Sequence, residues 1–295
     1  MTSVDFPTLV ILAGGLGTRF GGGKQIAELP KIGRTIMELS IEDAYKAGIR
    51  HVVLVINETV RPAIENVILP RLPKQLKVDL VEQSIEMVPP RFKGMAIERT
   101  KPWGTGHALL CARPFIAGNA IVITADDYYG ASAYTQLFSH FCNIDQNTSE
   151  MAIVAYPLSQ TMSELGGVNR GICALSENYL TQVHEYLNIR QADEGYIGVY
   201  DNLETPIKEN SLVSMTCWGV TQSLFDKLES QFKLFLESHD SDVKKEYYLP
   251  DCIQHMINLN QTAVRVYTAK DRWFGVTYKE ELDSVAGKIY ELRHG

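Results

Sequence analysis

The chain has 295 residues and a formal net charge of −7, with 45% hydrophobic and 21% charged residues, the balance of a soluble protein with a sizeable core. No stretch is dominated by Lys and Arg, which argues against a nucleic-acid partner but leaves room for a locally positive pocket for small anions. No apolar run approaches a membrane span, the N-terminus lacks the pattern of a signal peptide, and the five scattered cysteines form no CxxC pair, so a cytoplasmic chain with buried, reduced thiols is expected.

Apolar runs bounded by turn residues predict strands at Leu9 to Ala13, His51 to Ile56, Lys77 to Val81, Ala120 to Thr124 and Met151 to Ala155. Between them, helical spacing predicts helices over Ile36 to Ala47, closed by Gly48, and over Arg61 to Leu69, Thr105 to Arg113 and Tyr134 to Phe141. Strands alternating with helices imply βαβ units, hence an α/β fold with a doubly wound, mostly parallel, Rossmann-like sheet. The second half is more mixed. Strand-like pieces at Gly171 to Leu175, Leu180 to Val183 and Val213 to Val220 precede helices near Ser223 to Leu236 and Asp251 to Leu259. A strand at Val264 to Thr268 and a helix over Lys279 to Leu292 follow. With no linker or repeat, one domain over 1–295 is expected, nucleotide-binding over about 1–150 and elaborated over about 151–295. Ser84 to Lys101, with Pro89-Pro90 within it and Pro102 after it, is expected to be a long functional loop.

A glycine-rich loop, Ala13-Gly-Gly-Leu-Gly-Thr-Arg-Phe-Gly-Gly-Gly-Lys-Gln25, directly follows the first predicted strand. Ligands of an open parallel sheet bind outside the carboxyl ends of its strands, and glycines let backbone N–H groups approach phosphate oxygens. Arg19 can grip phosphate through paired N–H bonds, and Lys24 supplies a compact charge. The loop is not a P-loop, because Thr18 and Gln25 stand where a Gly and a Ser/Thr are needed; nor is it a dinucleotide fingerprint, because Phe20 replaces the third Gly.

Leu12-Ala-Gly-Gly-Leu-Gly-Thr-Arg19 followed by Lys24 resembles the nucleotide-binding signature of the sugar nucleotidyltransferases, whose scaffold is Rossmann-like and GT-A-like. Gly104-Thr-Gly-His-Ala108, Glu246-Tyr-Tyr-Leu-Pro-Asp251 and Trp273-Phe-Gly-Val-Thr277 continue the likeness along nearly the whole chain. The resemblance implies a nucleotide site made by Ala13, Gly14, Gly15, Gly17, Thr18, Gly104 and Thr105, with Arg19 and Lys24 on the triphosphate. Gln83, ending the third strand, can read the base with its two-sided amide.

Asp126 and Asp127 follow the Ala120 to Thr124 strand, and paired carboxylates facing a phosphate loop suit a hard cation such as magnesium. By resemblance Asp126 is the metal ligand, and Asp127 orients substrate or a metal-bound water. The family's second metal Asp falls at Gly275, which leaves Thr277 or the nearby Asp271 as substitutes. On the sugar side the resemblance places Glu185 and Thr216; Tyr186 replaces the Lys that often follows that Glu, and Met215 or Thr216 stands where Asn is expected. His107 is expected to pack or hydrogen-bond at a helix start.

The implied reaction joins a nucleoside triphosphate, with UTP favoured on family grounds, to a sugar 1-phosphate and releases pyrophosphate. A phosphate monoester with a second pKa of about 6 is mostly dianionic at neutral pH and needs no general base. Three other readings stay open: a nucleotide-sugar-dependent glycosyltransferase, a binding or regulatory protein on the same fold, and a cytidylyltransferase with a non-sugar acceptor. A homo-oligomer is compatible with all of them.

Overall fold

The computed structural model of the protein describes residues 6–15, 23–145, 148–163, 166–239, 242, 244–276 and 279–294. Strand β1 (Thr8–Leu12) is followed, beyond the glycine loop, by a short hairpin of β2 (Glu28–Leu29) and β3 (Arg34–Thr35) and by helix α1 (Ile36–Ala47). The helix starts at Thr35 through a capping box with Glu38, whose N–H donates to the Thr35 hydroxyl while its carboxylate accepts from the Thr35 N–H. It stops at Gly48, held at φ 118°, where a Cβ would lie 2.6 Å from the Phe138 ring. Next come β4 (His51–Ile56), α2 (Arg61–Ala63), β5 (Lys77–Glu82), α3 (Lys93–Ile97), α4 (Thr105–Ala112), β6 (Ala120–Thr124), β7 (Asp127–Tyr128), α5 (Ala131–Asn143) and β8 (Met151–Pro157). The second half contains β9 (Val168–Ser176), β10 (Tyr179–Gln191), β11 (Tyr196–Tyr200), β12 (Leu203–Ile207), β13 (Leu212–Val220), α6 (Gln222–Ser238), α7 (Leu249–Asn258), β14 (Val264–Thr268), β15 (Phe274–Gly275) and α8 (Leu282–His294).

The large sheet runs β12-β11-β10-β14-β8-β13-β6-β1-β4-β5, with β9 alongside β10 and β13. Pairings within β5-β4-β1-β6 are parallel, as is β14 with β8. The expectation of a mostly parallel sheet therefore describes the first half only. β13 inserts between β6 and β8 antiparallel to both, and β9 to β12 form antiparallel ladders, so the whole sheet is mixed.

Continuous apolar runs in β1, β4 and β6 arise because both faces of these strands are covered. On one face Leu9, Ile11, Leu54 and Ile123 pack with Ile41 of α1 and with Tyr134 and Leu137 of α5. On the other, Val10, Val53, Val55 and Val122 pack with Leu109 of α4, Leu228 and Phe232 of α6, and Ile253 of α7. A third cluster joins Leu29, Ile36, Tyr128 and Phe274 to Ile289 of α8. This last cluster fixes the β7/β15 pair, and with it the acidic turn of the site.

Several expectations are corrected here. The span predicted helical from Arg61 continues after α2 as a π-helical turn over Ile64–Ile68. Ser84 to Lys101 is not a free loop: it contains α3, buries Val88 and Phe92, and is pinned where the Trp103 indole N–H donates to the Ile85 carbonyl, 2.8 Å away. Of the five thiols expected to be buried, Cys142 is exposed. No helix among the described residues is long and apolar enough to cross a membrane.

Candidate active site

The carboxyl ends of β1, β4, β5 and β6 converge on one edge, and the candidate residues gather there. Ala13 is fully buried and its N–H donates to the Val55 carbonyl (2.7 Å), extending β1 by one bond before the loop opens. The base of the loop is tied down by two side chains. Gln25 donates from Nε2 to the Gly15 carbonyl (2.6 Å), and Asn57, just past β4, donates to the carbonyls of Gly14 (3.3 Å) and Gly15 (3.5 Å). Gly17, Thr18 and Arg19 lie outside the described residues, as does Thr277. The chain re-enters at Gly23, whose φ of 63° starts the short turn carrying Lys24. Lys24 Nζ then meets Asp126 Oδ2 at 2.5 Å across the mouth of the site.

Gln83 is fixed on the opposite wall. Its amide nitrogen donates to the Gly104 carbonyl (3.0 Å) and lies 3.3 Å from His107 Nδ1, while His107 Nε2 lies 2.8 Å from the Met87 carbonyl. This pattern requires a neutral His107 that donates from Nε2 and accepts at Nδ1. Burial supplies the neutrality, pushing the imidazole down from 6.5 to about 4. The amide oxygen of Gln83 is thereby turned to Gly14, where an added Cβ would sit 3.1 Å from it. As expected for a packed residue at a helix start, His107 is buried in α4.

The depressed pKa has a consequence for stability. Between about pH 6.5 and pH 4 the unfolded chain takes up a proton that the folded chain refuses, so stability falls as pH drops through this window, by up to about 3 kcal/mol. Chemical denaturation across that range is expected to show this slope, and His107→Asn to flatten it; an unchanged slope in the variant would assign the effect elsewhere.

Gly104 and Gly106 face Tyr247. A Cβ on Gly104, at φ 101°, would lie 2.6 Å from the Tyr247 carbonyl oxygen, and one on Gly106 would lie 2.7 Å from the Tyr247 ring. Thr105 was expected to face the nucleoside, but its hydroxyl accepts from the Leu249 N–H (2.9 Å) and so caps α7. These residues dock the Glu246-Tyr-Tyr-Leu-Pro-Asp251 segment, while the Gly104 carbonyl accepts from Gln83.

The acidic turn is built with care for one carboxylate in particular. Asp127 Oδ2 accepts from the Thr124 hydroxyl (2.7 Å), and the Tyr129 hydroxyl beside it donates to the Met215 carbonyl (2.8 Å), so the turn is locked to β13. Burial, and then the neighbouring Asp126, push Asp127 up to about 7. Opposite Asp127 across the β7/β15 ladder stands Gly275, where a Cβ would come within 2.8 Å of Asp127 Oδ1 and 2.4 Å of the Trp273 ring. Position 275 therefore has no room for a carboxylate while Trp273 keeps its place, and Asp127 occupies the adjoining space. Asp271 is engaged elsewhere: its Oδ2 accepts from the Ser132 N–H (2.7 Å) at the start of α5. No cluster of three His, Cys, Asp or Glu side chains is present among the described residues, so a cation at Asp126 and Asp127 would complete its shell with phosphate oxygens and water, which suits magnesium.

Further along the sheet, Glu185 of β10 lies directly opposite Gly171 of β9, its Oε2 3.8 Å from where a Cβ on that glycine would be. Burial raises the Glu185 carboxyl, with Asp251 adding to the rise and Arg170 opposing it. Thr216 sits in a bulge where the β13/β8 register shifts, at φ 58°, and its carbonyl lies 3.2 Å from the Tyr129 hydroxyl. A β-branched residue rarely adopts this left-handed conformation, and holding it there costs about 1–3 kcal/mol. Asn visits the region more readily, which explains physically why Asn would suit this position. Thr216→Asn is expected to raise Tm by about 2–4 °C; a fall in a melting experiment would show that the threonine side chain is itself required.

Sequence reasoning missed Asn57, Gln25 as a loop anchor, Tyr129 and Arg170. Asn57 had a positional signal, since it directly follows a buried strand at the binding edge. The others act through partners distant in sequence.

Residues 9–89 match the MobA-like NTP transferase domain. UTP–glucose-1-phosphate uridylyltransferase of Klebsiella pneumoniae is 28% identical over 105 residues, a match covering 34% of this chain and 35% of that enzyme. An Escherichia coli K12 enzyme of the same name is 28% identical over 127 residues, covering 40% of this chain and 42% of its own. The chain thus aligns with well under half the length of these curated relatives. In three dimensions, the inositol-1-phosphate CTP transferase of T. maritima superposes with a TM-score of 0.64 at 13% identity over 97% of each chain. A UDP-glucose pyrophosphorylase complexed with UDP-glucose gives 0.58 at 15% identity over 98% of this chain and 100% of its own. A glycine loop at the end of β1, an acidic turn at the end of β6, the N-terminal sequence match and the shared fold make the chain similar to the sugar-phosphate nucleotidyltransferases.

Proposed function

We propose that the protein transfers a nucleoside monophosphate from a nucleoside triphosphate to a sugar 1-phosphate and releases pyrophosphate. The contact between Lys24 and Asp126 carries this reading, because it brings the end of the phosphate loop and the acidic turn to one point. The segment up to about residue 150 forms the nucleotide side and the remainder the acceptor side of one catalytic unit.

An acceptor phosphate oxygen attacks the α-phosphorus in line, forming a new P–O bond as the bond from the α-phosphorus to the bridging oxygen breaks. Pyrophosphate departs with the electron pair. The acceptor enters as a dianion, so no side chain has to remove a proton. Asp126 and Asp127 would hold magnesium, which would neutralise charge on the reacting phosphates. Lys24 exchanges its Asp126 contact for the triphosphate, and Arg19 grips the same group. The amide oxygen of Gln83, with its nitrogen fixed by Gly104 and His107, accepts from a base N–H, which favours UTP through the uracil imino group. Glu185 accepts from sugar hydroxyls. Catalysis rests on alignment and charge neutralisation.

The test is pyrophosphate release with magnesium, using the four ribonucleotides and dTTP against sugar 1-phosphates and inositol 1-phosphate. Release that depends on one nucleotide and one sugar phosphate is expected. Release with inositol phosphate alone would move the acceptor outside the sugars, as the fold shared with the CTP transferase allows, and silence with confirmed nucleotide binding would favour a regulatory protein.

A further inference from the structure

We propose that Arg170 is the cation that receives the acceptor's phosphate, an assignment that rests on the transferase reading above. The residue lies on β9, half-buried, and its charge is permanent because guanidinium does not deprotonate in proteins. A charge taken out of water normally has an ion partner. Arg170 has no carboxylate within 4.0 Å among the described residues; it feels Asp127 and Glu185 only through space. Its hydrogen bonds go to backbone carbonyls, Asn169 at 2.8 Å and Thr161 at 2.5 Å, and Nε is buried with no partner. The guanidinium stacks on Trp273, 5.2 Å from the ring centroid. The structure thus holds a rigid fork of donors between two carboxylates without neutralising it.

The surroundings identify the missing anion. Arg170, Trp273 and Gly275 line one cavity of about 550 Å³. Gly275, on the wall of this cavity, pairs with Asp127 across the β7/β15 ladder, so the acidic turn lies behind that wall. A phosphate monoester placed there offers the paired acceptors that a guanidinium binds best. Trp273 keeps the guanidinium planar against the cavity wall, and glycine at 275 makes room for its ring.

The test is calorimetric titration of the full-length protein with glucose 1-phosphate and with inositol 1-phosphate in MgCl2, alongside titration with nucleoside triphosphate. Arg170→Ala is expected to weaken binding of the phosphate monoester by about tenfold or more, the loss of a charged pair of hydrogen bonds, while triphosphate affinity stays within about twofold. Arg170→Gln, which keeps a donor and much of the side-chain bulk without the charge, is expected to lose monoester affinity to a similar degree at a wild-type melting temperature, and it decides the matter if the alanine variant fails to fold. Unchanged monoester affinity in either variant, equal loss of both ligands, or no uptake of either monoester by the wild type would overturn the assignment. Monoester binding that depends on Arg170 but yields no pyrophosphate with any nucleotide would instead sink the transferase reading and leave Arg170 as an anion site.

Discussion

Replacing Asp126 by Ala is expected to lower kcat by about three orders of magnitude or more while leaving the melting temperature within a few degrees of wild type. The two expectations come from the same geometry. Asp126 is partly exposed, with 29% of its side-chain surface accessible, and among the described residues its ion partner is Lys24, so its loss removes a surface ion pair that contributes little to stability. Yet it is the less encumbered of the two adjacent carboxylates. Asp127 is bonded to Thr124 and raised to about 7 by burial and by Asp126, so it draws a proton at neutral pH until a cation arrives. Without Asp126, the remaining carboxylate is a single, desolvated ligand. Manganese binding followed by electron paramagnetic resonance separates the causes: loss of the ion together with turnover supports a ligand role. Retained ion binding with lost turnover would make Asp126 a partner of Lys24 only, and near-normal turnover would remove it from the site. Lys24→Ala is expected to lose turnover comparably while still binding the ion.

How far the sequence carried the reading can be judged from individual residues. β1, β4 and β6 were legible because parallel strands covered on both faces become unbroken apolar runs, and α1 was legible because Thr35 and Gly48 mark its ends chemically. Lys24 meets Asp126, and Gln83 lies against Gly14, since chain order and sheet edge coincide in this half. Thr105 was misread because the motif that carries it serves two purposes, and its hydroxyl meets Leu249, 144 residues away. Arg170 was invisible for a related reason. Nothing local distinguishes it from a solvated arginine, and its meaning comes from Trp273 stacked against it and from the cavity that the two share. Antiparallel β9 to β13 were harder to read because half-exposed strands interrupt the apolar pattern, and the β11/β12 hairpin was missed outright.

Gly275→Asp offers a second large effect, and its sign distinguishes two histories of the metal site. Resemblance alone says that an Asp at this position restores a missing ligand and strengthens metal binding. The structure says the reverse. A Cβ at 275 meets the Trp273 ring at 2.4 Å and Asp127 Oδ1 at 2.8 Å, distances that side-chain carbons do not tolerate, so Trp273 has to leave and Arg170 loses its stacking surface. Overpacking of this kind costs about 1–3 kcal/mol. The new carboxylate would also face Asp127 directly across the ladder, adding a third negative group to two that already repel. The expected result is a Tm lowered by several degrees and turnover reduced by about a hundredfold, with weaker rather than tighter manganese binding. A second variant isolates the steric part: Gly275→Ala carries the same Cβ without the charge and should share the loss of stability while keeping more of the ion affinity. Tighter metal binding with intact stability in Gly275→Asp would show that Trp273 yields easily, and that the carboxylate at 127 is an addition to the family's ligand arrangement instead of a replacement for it.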